Sequence, residues 1–116
     1  MNEGKQILVV EDEIITGMAI QKILKNLGYN VPAIASYAED AIKKAKENHP
    51  DLILMDINLN DEIDGIEVAS RIHSFSDVPV IFMTAYSDEK TLERAKITEP
   101  YAYIVKPVKD REIHIT

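Results

Sequence analysis

The fold this sequence predicts is an α/β doubly wound parallel sheet with helices on both faces. Two observations carry that expectation. Short runs rich in Val and Ile alternate strictly with longer segments of helical period. The strand runs are also apolar at nearly every position, as strands buried on both faces are, rather than at every second one. Right-handed crossovers then leave a doubly wound sheet as the simple arrangement. The length of 116 residues, with 46% apolar and 28% charged residues, suits one globular domain over 1–116 with a single hydrophobic core.

Ile7–Val10 is the first strand. Ile15, Ala19, Ile20, Ile23, Leu24 and Leu27 follow at spacings of three and four, predicting a helix that Gly28 ends. Residues 31–35 form the second strand, and Pro32 near its start predicts a sheet edge. Ser36-Tyr37-Ala38-Glu39 reads as a capping box opening a helix with Ala38, Ala41, Ile42 and Ala45 on one face, stopping near His49-Pro50. Residues 52–55 are the third strand. Asp64 is placed to cap a third helix with Ile66, Ala69, Ile72 and Phe75 inward.

Residues 78–83, with Pro79 at their beginning, are the fourth and most apolar strand. Ser87 or Asp88 caps a fourth helix around Leu92 and Ala95, whose apolar face is thin, and residues 101–105 are the fifth strand. A last helix begins near Lys109 and is expected to be truncated at Thr116, about two turns in. No internal repeat or linker interrupts this order.

Composition excludes several function classes. A net charge of −7 argues against direct binding of nucleic acid, whose phosphates need a basic face, and against an anionic membrane surface. The absence of cysteine excludes disulfides, thiolate catalysis and cysteine-based zinc sites. No signal-peptide core or apolar run of membrane-spanning length is present, so the expected location is the cytoplasm. His49, His73 and His114 share no ligand spacing and read as ordinary surface or helix residues.

In an open α/β sheet, ligands bind beyond the carboxyl ends of the strands. Glu11-Asp12 follows the first strand, Asp56 the third, Thr84 the fourth and Lys106-Pro107 the fifth. Each alone reads equally well as a turn, loop or solvated residue; together they meet on one edge of the sheet. Carboxylates side by side call for a cation, and an all-oxygen set suits Mg²⁺ or Mn²⁺ rather than zinc or copper. A carboxylate beside such an ion can attack phosphorus, with Lys106 neutralising the transferring group and Thr84 donating a hydrogen bond to it. Glu13 has no place in that scheme and is expected to face solvent near a helix start, where its charge suits the helix dipole.

ILVVEDE, LILMDINL, DG, PVIFMTAY and YIVKP, in this order and spacing, resemble the receiver domains of two-component response regulators. The resemblance spans essentially the whole chain. It implies a (βα)5 flavodoxin-like fold of strand order 2-1-3-4-5, Asp56 as phosphoacceptor and Asp12 as direct Mg²⁺ ligand. Glu11 would act on the metal mostly through water, and Asn58 through its backbone carbonyl. Thr84 becomes the switch hydroxyl, Tyr103 the aromatic switch residue, and Lys106 the phosphate-pairing lysine. Lys106-Pro107 matches a motif whose peptide bond is cis in the family.

The implied partners are a sensor histidine kinase or phosphotransfer protein, and a downstream effector domain or protein. A phosphorylation-dependent homodimer is left open. Transfer to Asp56 would draw Thr84 toward the phosphoryl group and turn Tyr103 inward, altering the surface around the fourth helix and fifth strand. Such a domain assists its own phosphorylation and dephosphorylation without turning over an external substrate.

Three departures from the family pattern stand out. Glu99-Pro100 replaces a common Gly-Ala, Val108 stands where an aromatic is frequent, and residues 60–64 make a longer acidic loop. Among rivals, a phosphohydrolase of the haloacid dehalogenase type needs Asp-x-Asp after the first strand, whereas Asp56-Ile57-Asn58 follows the third. A nucleotide-binding module lacks its glycine-rich first turn. A receiver-like interaction module that is never phosphorylated would not need the full set of acids, Thr84 and Lys106.

Overall fold

The protein is seen in a computed structural model. It describes residues 5–59, 62–84 and 102–105, with only the backbone of Thr84 and of 102–105. The expected fourth and last helices, the 99–100 and 108 departures, His114 and the Lys106-Pro107 bond lie outside the described residues, as do Asn60 and Asp61.

The elements in order are β1 (Ile7–Val10), α1 (Ile14–Asn26), β2 (Ile34–Ala35), α2 (Ala38–Asn48), β3 (Leu52–Asp56), α3 (Gly65–His73), β4 (Val80–Thr84) and β5 (Ala102–Val105). All strand pairs are parallel, in the order β2-β1-β3-β4-β5. This is the doubly wound sheet that the alternating pattern predicts, in the flavodoxin-like order that the resemblance implies.

Alternation along the strands divides the core between the two faces. Leu8, Val10, Ile53, Met55, Val80 and Phe82 pack with the small and branched residues of α2 and α3. Ile7, Val9, Leu52, Leu54, Ile81 and Met83 pack with Ile20 and Leu24 of α1 and with Tyr29 and Val31. Every residue of β1 and β3 is buried, so both faces of the central strands are covered. That double burial is why these strands read as continuous apolar runs.

β2 is shorter than the expected 31–35 and lies at the edge, as Pro32 predicts; an isolated bridge joins Gln6 to Asn30 ahead of it. The left-handed C-cap of α2 falls at His49 (φ 46°), just before Pro50, where the stop is expected. Gly28, at φ 97°, follows the end of α1 as a residue free to turn left-handed.

Three expectations are corrected. In α1 the buried stripe is Gly17, Ile20 and Leu24, while Ile15 is 85% exposed and Ala19 faces solvent. The helix lies against β2 through Gly17, where an added Cβ would come within 3.1 Å of Ile34 Cγ2. That contact rotates the neighbouring isoleucine outward. The capping box at Ser36 does not form: the N-cap is Tyr37, with no side-chain cap hydrogen bond, so Glu39 falls one position too early. Glu39 and Asp40 still lie in the first turn, where they complement the helix dipole.

The third correction is Phe75, which is 40% exposed beyond the end of α3 with Lys46 Nζ 5.0 Å from its ring centre. Val68 fills the buried face with Ile66, Ala69 and Ile72.

Asp64 does cap α3, its carboxylate accepting from the Glu67 N–H at 3.0 Å. Replacing it with Ala leaves that N–H without its side-chain acceptor and is expected to cost about 1 kcal/mol. Urea unfolding would show this as a lower midpoint at unchanged slope; an unchanged midpoint would mean the cap contributes nothing.

Candidate functional site

β1 and β3 are adjacent, with Val10 opposite Met55, so Glu11 leaves the sheet beside Asp56. Asp56 in turn lies opposite Met83, and Thr84 opposite Val105. The residues ending four strands therefore share one edge, with β2 beyond them.

Backbone bonds hold the acids there. The Glu11 N–H donates to Ala35 O at 2.9 Å, tying the end of β1 to the edge strand. The Ile57 N–H donates to Met83 O at 2.9 Å, extending the β3–β4 ladder one residue past Asp56. The Asn58 N–H donates to Asp56 Oδ1 at 3.0 Å, fixing the carboxylate from its own loop.

Glu11, Asp12 and Asp56 each bring a carboxylate oxygen within 4.8 Å of the other two. Glu11 is 0% exposed, Asp56 1%, and Asp12 half-buried. Ionised carboxylates that close and that poorly solvated repel one another, and burial raises the cost of each charge. A divalent cation removes both penalties.

The donor set tests which cation fits. It is oxygen only, which suits a hard divalent cation such as Mg²⁺ rather than zinc or copper. Glu11, Asp12, Asp56 and the Asn58 carbonyl could hold such an ion, with waters completing the shell.

The acids expected from sequence thus come together, and Glu13 is exposed at the N-cap of α1 without a capping bond, apart from them. Thr84 and Tyr103 are placed by backbone alone, Tyr103 opposite Phe82, and their side chains lie outside the description. Lys106 and Pro107 follow the last residue of β5 and fall outside the described residues.

Two glycines matter that hydrophobic periodicity passes over. Gly17 lies 3.6 Å from Glu11 Cβ when given a Cβ of its own, and Gly65 meets the backbone of Asp56. Gly17 shows in the sequence only as a glycine inside a helical segment, where it weakens the helix unless something approaches closely. Gly65, by contrast, stands in the Asp64-Gly65 pair that forms part of the resemblance.

A family model described as "Response regulator receiver domain" matches residues 7–116. The transcriptional regulatory protein PdtaR of Mycobacterium tuberculosis is 34% identical over 103 residues, covering 89% of this chain and 50% of that protein. The chain therefore spans half the length of this relative. Among solved structures, the signal receiver domain of a modulated diguanylate cyclase from Desulfovibrio desulfuricans G20 is 35% identical with a TM-score of 0.87, covering 94% of this chain and 86% of that one. The CheX-CheY-BeF3-Mg complex from Borrelia burgdorferi matches at 26% identity and a TM-score of 0.88, covering 96% of this chain and 84% of the other. Sequence and topology agree over nearly the whole length, and the chain belongs to the receiver domains of two-component response regulators.

Proposed function

We propose that residues 1–116 act as a phosphoacceptor domain in which Asp56 takes a phosphoryl group from the phosphohistidine of a sensor kinase or phosphotransfer protein. The observation that carries this reading is the packing of Glu11, Asp12 and Asp56 within 4.8 Å at the carboxyl edge of the sheet, with Asp56 almost wholly buried. An Asp56 carboxylate oxygen attacks phosphorus as the P–N bond breaks, and the departing imidazole keeps the electron pair and is protonated. Bound Mg²⁺ or Mn²⁺ supplies charge neutralisation for the transferring oxygens.

The chain's own residues do the rest. The Asn58 N–H holds Asp56 Oδ1 and so orients the nucleophile. Glu11 and Asp12 hold the ion, Lys106 pairs with the phosphoryl oxygens, and Thr84 donates to one of them. The displacement of Thr84 and rotation of Tyr103 then repopulate the surface around the fourth helix and β5. The domain signals rather than turning over an external substrate. Half of PdtaR lies outside the match, which supports an output carried by an effector domain or a separate effector protein.

The test is intact-protein mass spectrometry after incubation with acetyl phosphate. With Mg²⁺ the chain is expected to gain one phosphoryl group, and chelation of the metal should prevent the gain. No adduct, or one indifferent to chelation, would sink the reading.

A further inference from the structure

Gly65 opens α3 directly against the acceptor strand. A Cβ built on it would lie 2.0 Å from the Asp56 carbonyl oxygen, 2.8 Å from the Asp56 carbonyl carbon and 2.9 Å from Met55 Cγ. Two of these three neighbours are the backbone of the acceptor residue itself, which cannot swing aside as a side-chain tip can. At Gly17 the nearest atom is a methyl of the Ile34 side chain, at the longer distance of 3.1 Å.

We propose that Gly65 is a positioning residue for Asp56: its missing side chain lets α3 sit on the Asp56 peptide and hold the carboxylate in register with Glu11 and Asp12. The hydrogen bonds around it support this. The Gly65 N–H donates to Ile57 O at 2.9 Å, while the Ile57 N–H is held by Met83 O at 2.9 Å. Ile57 is thus pinned on one side by β4 and on the other by the start of α3. The residue after it, Asn58, donates to Asp56 Oδ1. Ile57 is itself 2% exposed, so this short segment cannot relax into solvent.

A Cβ at position 65 must move either the helix start or the Asp56 peptide by about 1 Å or more, judged against ordinary contact distances. A shift of that size at a reacting group costs about 10²-fold in rate. The loss in rate rests on the proposed function; the displacement of Asp56 does not.

The experiment compares Gly65→Ala with Val68→Ala, a cavity in the same helix at a fully buried position. Three quantities are read below the melting transition: the rate of phosphorylation by acetyl phosphate, the Mg²⁺ concentration giving half-maximal rate, and the amide resonance of Asn58 in metal-free protein. Gly65→Ala is expected to slow the reaction about 10²-fold, raise the Mg²⁺ requirement and move the Asn58 resonance. Val68→Ala should lose stability and leave all three unchanged. If Gly65→Ala does not fold, Asp64→Ala, which loosens the same helix start, is expected to shift all three in the same direction by a smaller amount.

The proposal is overturned if the folded position-65 variant, or Asp64→Ala in its place, keeps the wild-type Asn58 resonance and rate. It is equally overturned if Val68→Ala shows the same losses. Should the wild type itself take up no phosphoryl group, the proposed function fails, and the Asn58 resonance still decides the role of Gly65.

Discussion

Asp56→Asn is expected to abolish phosphoryl uptake while leaving the domain folded. The substitution keeps the shape of the side chain and an oxygen able to accept the Asn58 N–H, which Asp56 Oδ1 accepts at 3.0 Å. It removes the anionic oxygen that attacks phosphorus, and a neutral amide is a poor substitute as a nucleophile. A loss of at least about 1000-fold, or roughly 4 kcal/mol of barrier, is the expected scale. Circular dichroism should show an intact fold, because the near-isosteric amide still offers an oxygen to the Asn58 N–H. An adduct of wild-type yield in Asp56→Asn would move the acceptor to another residue.

Asp12→Ala tests the acid cluster as a metal site. Asp12 is one of the three carboxylates that lie within 4.8 Å of one another. The substitution removes a ligand. Saturating Mg²⁺ should stabilise the wild type, because binding to the folded state alone shifts the unfolding equilibrium, and should stabilise Asp12→Ala far less. Adduct formation at a fixed, subsaturating Mg²⁺ concentration should fall at least about tenfold, the equivalent of 1.4 kcal/mol. Equal melting increments with Mg²⁺ in both proteins would remove Asp12 from the metal site.

Much of this was legible because the strands are buried on both faces, which leaves an apolar mark at every position. The runs at Ile7–Val10 and 52–55 stand out for that reason, and the residues that follow them, Glu11, Asp12 and Asp56, are visible as abrupt changes of chemistry. Asp64 was legible as a cap because its carboxylate needs only local geometry.

What escaped the pattern depends on tertiary approach. Ile15 and Ala19 are apolar like the residues α1 buries, and periodicity counts them alike. The helix turns them outward because Gly17 makes the contact with Ile34. Ser36 and Glu39 have the spacing of a capping box, yet α2 begins one residue later, with Ala38 and Ala41 buried. Gly65 acts through an atom it lacks, which leaves no hydrophobic or charged signal to read. Its role emerges only when the backbone of Asp56 is seen beneath it.

The central claim is that one carboxylate, Asp56, receives the phosphoryl group at an acid cluster built by the carboxyl ends of β1 and β3. Its most direct test is to treat the phosphorylated protein with borohydride, which reduces an acyl phosphate to an alcohol, and to map the altered residue by peptide mass spectrometry. The account predicts a single reduced residue at Asp56, formed only when Mg²⁺ was present during phosphorylation. A reduced residue at any other aspartate, or a phosphoryl group that resists borohydride because it sits on a hydroxyl or an imidazole, would contradict it.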